Sequence, residues 1–304
     1  MKKLIIFLSL IIFTVLVIIT PCHGAYNKIH WTGEERAFME KHPIIRLGVD
    51  PKFIPFEFID ENKEYKGIAN DYLSLISEIT GLEFQVRKDL SWPEAYDMAL
   101  NGDLDALPAI GKTPEREEHF LFSEPYYYFK RVIATRDTDD HISGMDDLEG
   151  LTVAVQRNSS HHSYLLPYEK INLSLYDSVE TALTAVSTGE EVAFVGNLAT
   201  TNYLIRLNGL TNLRFVSYEA EKQMALHFAV RSDWPELVSI FNKSMNAITD
   251  KEKTAITNKW IDLETHLDFG PYIRIAVIIA SVLAIVLGVS FFWIARLRRE
   301  VNWR

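Results

Sequence analysis

The sequence predicts an α/β protein built on mainly parallel sheets, held outside a membrane by apolar segments near its ends. Three observations carry that prediction. Short β-branched runs alternate with helical periodicities from residue 44 to residue 248. Alternation of this kind implies sheets covered by helices on both faces. An uncharged apolar run covers 275–295, long enough to cross a bilayer as a helix. Another apolar run, Leu4 to Ile19, follows Lys2 and Lys3.

Composition sets the frame. Of 304 residues, 48% are hydrophobic and 24% charged, which suits a folded core. The 41 acidic residues outnumber the 31 basic ones, a formal charge of -10. Sequence-independent nucleic-acid binding needs a basic footprint and is excluded as a leading function. Cys22 is the single cysteine, so neither an internal disulfide nor a cysteine-based zinc cluster can form.

The N-terminal run reads as a secretory signal with a cleavage site after Gly24, or as a retained anchor. Cys22 sits where a lipid-carrying cysteine would, yet Pro21 occupies a position that favours a small residue. At the other end, Arg296, Arg298, Arg299 and Arg304 follow the span, and Tyr272 and Trp293 bracket it as interfacial anchors. Positive charge on this flank places the C-terminus in the cytoplasm. The expected location is therefore a bacterial cytoplasmic membrane, with the central region in the periplasm or extracellular space.

The elements between the runs follow in order. Ile44 to Val49 is an apolar strand. Ile68, Tyr72, Leu75, Ile76 and Ile79 recur at helical spacing up to Gly81. Phe84 and Val86 alternate as in a strand. Ser91-Trp92-Pro93-Glu94 is a capping box opening the next helix. Strand Asp105 to Ile110 leads to Thr113-Pro114, a helix start with Pro in the first turn. A second set begins with strand Thr152 to Gln156 and a helix near Ser160. Asp177 to Glu180 reads as another capping box. Strand Val192 to Val195, helix Asn197 to Leu207 and strand Phe228 to Val230 follow. The last helix opens at Asp233-Trp234-Pro235-Glu236. The polar, acidic stretch Arg136 to Gly144 is a candidate hinge or boundary.

Seven segments stand in register: Leu47 to Pro51 with Pro55 to Phe58, Gly67 to Tyr72, Gly111 to Glu117, Phe122 to Tyr126, Leu148 to Val155, Val195 to Thr200 and Val230 to Pro235. Together they resemble the family 3 periplasmic solute-binding proteins, in the version fused to bacterial sensor kinases. The resemblance implies a type II periplasmic-binding-protein clamshell with ligand between two lobes. Lobe one would take 30–132 and 229–266, and lobe two 133–228. Residues 1–24 would be the signal or anchor, 273–295 the transmembrane helix and 296–304 a cytoplasmic basic tail.

The resemblance also implies site residues. Arg116 matches the arginine that pairs with a ligand carboxylate, and a guanidinium fork fits both carboxylate oxygens. The competing role is a surface pair with Glu117 or Glu118. Thr113 caps the same helix and is a candidate ligand contact. Gly111 stands where relatives that bind amino acids often carry a hydroxyl, and would offer a backbone N–H. Ser159 and Ser160 open a helix, an N-terminus suited to an anion or to simple capping. Asn197 replaces the Asp that commonly holds a ligand ammonium, so the expected ligand carries a carboxylate and lacks an α-amino group. Phe53 is a candidate stacking residue, whereas Phe56 reads as core and Asp71 as structural. Adjacent His161 and His162 point about 100° apart on a helix and make a poor metal pair.

The expected function is a small-molecule sensor region of a membrane-anchored receptor, its ligand an amino acid or other carboxylate. The alternatives are a transport binding protein and an enzyme on the same scaffold. No catalytic constellation stands out at recognisable spacing, though Glu57 and Glu124 are candidate cleft acids. Neither cofactor nor metal is expected. Ile294, Leu297 and Val301 fall on a coiled-coil seam, which suggests a homodimer through the C-terminal helix.

Overall fold

The computed structural model describes residues 29–217, 224–261, 277–281, 288–290 and 293. The chain divides into two compact units, Met1–Trp260 and Ile261–Arg304. The signal or anchor, Cys22, the basic tail and the seam beyond Trp293 lie outside the described residues. So does most of the 273–295 span. Its described residues, 277–281, 288–290 and 293, are helical, and Val277, Ile278, Ile279, Val289 and Trp293 are exposed. Among the described residues no helix is long and apolar enough to cross a membrane.

The first unit begins with α1 (Gly33–Lys41), β1 (Ile44–Gly48), β2 (Lys52–Phe53), β3 (Glu57–Ile59) and β4 (Tyr65–Lys66). It continues with α2 (Ile68–Thr80), β5 (Glu83–Arg87), α3 (Trp92–Leu100), β6 (Ala106–Gly111), α4 (Pro114–Glu117), β7 (Phe120–Phe122) and β8 (Tyr127–Phe129). Then come β9 (Arg131–Arg136), β10 (Thr152–Gln156), α5 (Ser160–Leu165), β11 (Asn172–Tyr176), α6 (Val179–Thr188) and β12 (Ala193–Asn197). The last elements are α7 (Leu198–Leu207), β13 (Leu213–Ser217), β14 (Met224–Arg231), α8 (Pro235–Ala247) and α9 (Asp250–Ile261).

These strands form two main sheets. One has the order β5-β1-β6-β14-β7, with β8 also paired to β14; the other is β11-β10-β12-β9-β13. A third, small sheet is β2-β3-β4. Each main sheet has a parallel centre and antiparallel strands beyond it, β14 in the first and β9 in the second. Burial on both faces of β6 and of Val153, Ala154 and Val155 in β10 explains why their apolar runs are continuous rather than alternating.

Each lobe has its own core. Trp92, Leu104, Leu107, Ile110 and Phe120 pack in the first, and Ile133, Leu148, Val153, Leu165 and Val195 in the second. The chain passes between the sheets at Lys130 and again between β13 and β14. This corrects two expectations. Strand β14 belongs to the first sheet from Met224 onward, not from 229, because its first residues pair with β8. The stretch Arg136 to Gly144 is not a hinge. Arg136 ends a strand of the second sheet and its guanidinium donates to the Val186 and Glu191 carbonyls, while Ile142 is fully buried.

Caps confirm some local readings and revise one. Ser91 and Glu94 form the expected box. At α6 the cap is Ser178 rather than Asp177, accepting from the Thr181 N–H. Glu180 is thereby free to reach Lys52 of the other lobe, at 2.7 Å.

Candidate functional site

The C-terminal ends of the central strands of both sheets face one cavity, as expected for open α/β sheets. It has about 40 Å³ of room for water-sized molecules, within about 490 Å³ of space between atoms that includes open solvent. Gly111, Arg116, Phe53, Ser159, Ser160 and Asn197 all line it. Thr113 does not; its hydroxyl accepts the Arg116 N–H and caps α4.

Strand β6 ends at Gly111 and the short helix α4 turns Arg116 back under it. The guanidinium is 1% exposed. It donates to the Gly111 carbonyl and, across the cleft, to the Asn158 carbonyl, each at 2.5 Å. The Tyr96 ring lies 5.3 Å from its centre. No ion pair engages it among the described residues, so burial lowers its pKa from the usual arginine value. The surface pairing with Glu117 is not made; Glu117 pairs with Lys112 instead. Asn158 sits at φ 57, a left-handed position that Asn tolerates, and this turns its carbonyl toward Arg116.

Gly111 is required by closeness. A Cβ there would lie 2.8 Å from Ser160 Oγ and 3.0 Å from Ser160 Cβ in the opposite lobe. Ser159 caps α5 by accepting the His162 N–H. His161 faces the cavity and accepts at Nδ1 from Arg131 Nε at 3.1 Å, which leaves its proton on Nε2. Burial, then the Arg131 and Arg116 charges, push its pKa well below the usual value, so it stays neutral. Among the described residues there is no cluster of three or more potential metal ligands.

Asn197 ends β12 and caps α7. Its Oδ1 accepts from the Ala199 N–H at 2.8 Å and the Thr200 N–H at 3.3 Å, which fixes the amide orientation. Its Nδ2 is buried and has no partner. The Trp92 indole N–H, on α3 in the first lobe, is likewise buried without a partner.

Four contributors escaped the sequence reading: Asp50, Trp92, Gln156 and His161. Asp50 Oδ2 accepts from Gln156 Nε2 across the cleft at 2.7 Å, and Oδ1 from the Lys52 N–H. Behind it, Glu57 accepts from the Asp50 N–H and the Tyr65 hydroxyl. Burial pushes Asp50 up to about 6 and Glu57 up to about 8. The signal for Asp50 and Gln156 was present: each is a polar residue at the C-terminal end of an apolar strand. Glu124 lies apart, exposed against α8, and Asp71 anchors Lys259 and Trp260. Phe129, at the end of β8, also lines the cavity.

Two α/β lobes closed over a lined cavity define a ligand-binding clamshell. The chain belongs to the bacterial extracellular solute-binding proteins, family 3, whose profile matches residues 45–263. It is 26% identical over 284 residues to the virulence sensor protein BvgS of Bordetella pertussis, covering 93% of this chain and 22% of that protein. The chain thus spans about a fifth of that relative's length. The L-cystine-binding protein TcyA of Bacillus subtilis is 22% identical, over 75% of this chain and 85% of its own length. Among solved structures, the periplasmic VFT2 domain of B. pertussis BvgS aligns with a TM-score of 0.68 and 27% identity. That alignment covers 77% of this chain and all of the domain.

Proposed function

We propose that this chain is the ligand-sensing region of a membrane-anchored receptor, closing its two lobes over a small carboxylate-bearing molecule outside the cytoplasmic membrane. The observation that carries this is Arg116: a buried guanidinium lining the cavity that makes no ion pair among the described residues. Burying an unbalanced charge is costly, and a ligand carboxylate would offset that cost. Likeness to sensor proteins supports the receptor role, as do the uncharged run at 275–295 and the arginines beyond it. The exposed apolar side chains of 277–279 and 289 suit a lipid environment. Parallel pairing along Ile294, Leu297 and Val301 completes the reading. Binding, not catalysis, is the activity proposed, and the solute-binding family supports that. Delivery of solute to a permease is the second reading, supported by the likeness to a cystine-binding protein. The test is thermal unfolding of the full chain in detergent with small carboxylic acids. An acid that raises the midpoint of the wild type should lose that effect in Arg116→Ala and regain little in Arg116→Lys. An undiminished response in Arg116→Ala would overturn the assignment.

A further inference from the structure

Several carboxylates meet the opposite lobe. Glu180 takes the Lys52 ammonium at 2.7 Å, Glu115 the Ser163 hydroxyl at 3.3 Å and Asp97 the Asn158 amide at 3.4 Å. These contacts are exposed, so opening the cleft changes the hydration of their carboxylates little. Asp50 is different. It is 4% exposed, and its Oδ2 accepts from Gln156 Nε2 at 2.7 Å in the buried interface. The groups around it do not neutralise it. Lys52 on β2 gives a backbone N–H, while its ammonium goes to Glu180. Glu57 on β3, itself fully buried, accepts the Asp50 N–H and the Tyr65 hydroxyl from β4. Across the cleft stand Gln156 on β10 and the Asp177 carbonyl, which Gln156 Nε2 reaches at 3.4 Å. Arg116 and His161 line the same cavity, each engaged with other groups.

We infer that the proton is itself an input to this clamshell: Asp50 takes it up at the interface between the lobes, and mild acid closes the cleft. This goes beyond the carboxylate-binding reading and does not depend on it. A carboxylate desolvated between two lobes binds a proton more tightly than one in water, and burial raises Asp50 from 3.8 to about 6. Opening breaks the Gln156 bond and lets water reach the carboxylate, which returns it toward its ordinary value. The closed form thus has the higher pKa, closing takes up a proton, and acid favours closure. Gln156 can serve both forms: its Nε2 donates to the carboxylate, and a turned amide accepts the O–H of the acid at Oε1. Glu57 does not add to the switch, because its partners Asp50 and Tyr65 both lie in the first lobe. His161 has the opposite sign. Burial, then the Arg131 and Arg116 charges, lower its pKa in the closed form, so a proton on His161 would favour opening. Its bond from Arg131 lies within the second lobe and persists on opening, which holds that opposing effect down.

The experiment uses the full chain in detergent, with Cys22→Ser and no carboxylic acid in the buffer. Spin labels on Glu118→Cys and Glu169→Cys, exposed positions on opposite lobes, report the populations of short and long separations by pulsed electron paramagnetic resonance. The ratio of closed to open should rise roughly tenfold from pH 8 to pH 5 with Asp50 in place. Asp50→Asn keeps an acceptor for Gln156 and cannot titrate; it should give one ratio at both pH values. Asp50→Ser, which keeps a hydroxyl, should be equally flat and stands in if the first variant misfolds. A ratio that does not change with pH while Asp50 is present would overturn the inference, as would a rise that survives in both variants. A ratio that falls with acid would overturn it too and would assign the dominant proton to His161. None of these failures touches the Arg116 assignment, which is tested with carboxylic acids at one pH.

Discussion

The two lobes share a plan and differ in chemistry. Each is a sheet with a parallel centre, each presents strand ends and helix N-termini to the cleft, and each buries its own apolar core. Yet the charges that line the cavity, Asp50 and Arg116, both come from the first lobe. The second lobe offers only uncharged groups there: Gln156, Ser159, Ser160, Asn197 and a neutral His161. The closing contacts pair one kind with the other. The Arg116 guanidinium meets the Asn158 carbonyl, and the Asp50 carboxylate meets the Gln156 amide. A charge meeting a neutral partner gains a strong hydrogen bond without committing its countercharge. The charged lobe can therefore engage a ligand of opposite sign while the neutral lobe reads its shape and polarity. Two fully charged lobes would instead pair with each other and compete with the ligand.

The sharpest way to break this division is through pH, because the first lobe buries its carboxylates so deeply. Desolvation raises Asp50 to about 6 and Glu57 to about 8, against ordinary values of 3.8 and 4.5. The folded state therefore holds protons that the unfolded chain has released, between about pH 4 and 8. Stability falls as pH rises through that window and is highest near its acidic end. Each pKa unit corresponds to about 1.4 kcal/mol, so the loss from pH 5 to pH 8 should amount to several kcal/mol. Glu57→Gln keeps an acceptor for Tyr65 and removes the titration. It should flatten most of the slope in urea unfolding measured across that range. A slope unchanged in Glu57→Gln would show that the charge burden lies elsewhere.

A smaller effect is expected where Gly111 faces Ser160 across the cleft. Gly111→Val should hold the lobes apart, since even a Cβ there would press on Ser160. Ligand affinity should fall at least tenfold, about 1.4 kcal/mol, with little change in unfolding midpoint without ligand. Gly111→Ala combined with Ser160→Gly should recover the wild-type affinity, because the second change removes both atoms in the way. Failure of the double variant to recover would mean that Gly111 serves its own strand and not closure.

Much of this was legible in the sequence because it is local. Strand ends fell within a few residues of the runs that predicted them, and the Ser91–Glu94 cap formed as its spacing requires. Arg116, Gly111 and Asn197 were found through motif resemblance, and the structure brings them to one cavity. What stayed hidden depends on packing between distant segments. Nothing near Asp177 announces that Ser178 caps the helix while Glu180 pairs with a lysine 128 positions away. Asp50 and Gln156 are separated by 106 positions, and only the closed cleft makes them partners. Trp92 looked like a residue inside a capping box; its unpaired N–H is a property of the cavity around it, not of its neighbours in sequence.

The smallest expected effect sharpens the comparison at the rim, where both lobes are charged. Lys52 follows the cavity-lining Asp50 in the first lobe and reaches Glu180 at the start of α6 in the second. The lysine side chain is 53% exposed and the glutamate's 34%. Water and salt screen such a pair, and exposed ion pairs are typically worth about 0.2–1 kcal/mol. Glu180 also sits in the first turn of its helix, where a negative charge is favourable in its own right. Glu180→Gln removes both effects, whereas Lys52→Met removes only the pair. If the rim pair guides closure, both variants should weaken ligand binding by less than about fivefold, and that loss should vanish in high salt. The Glu180 variant alone should then keep a small loss of thermal stability. A salt-independent loss in Lys52→Met would instead assign the lysine a role inside the cleft, beside Asp50, and the neutral-against-charged division would have to be redrawn to include it.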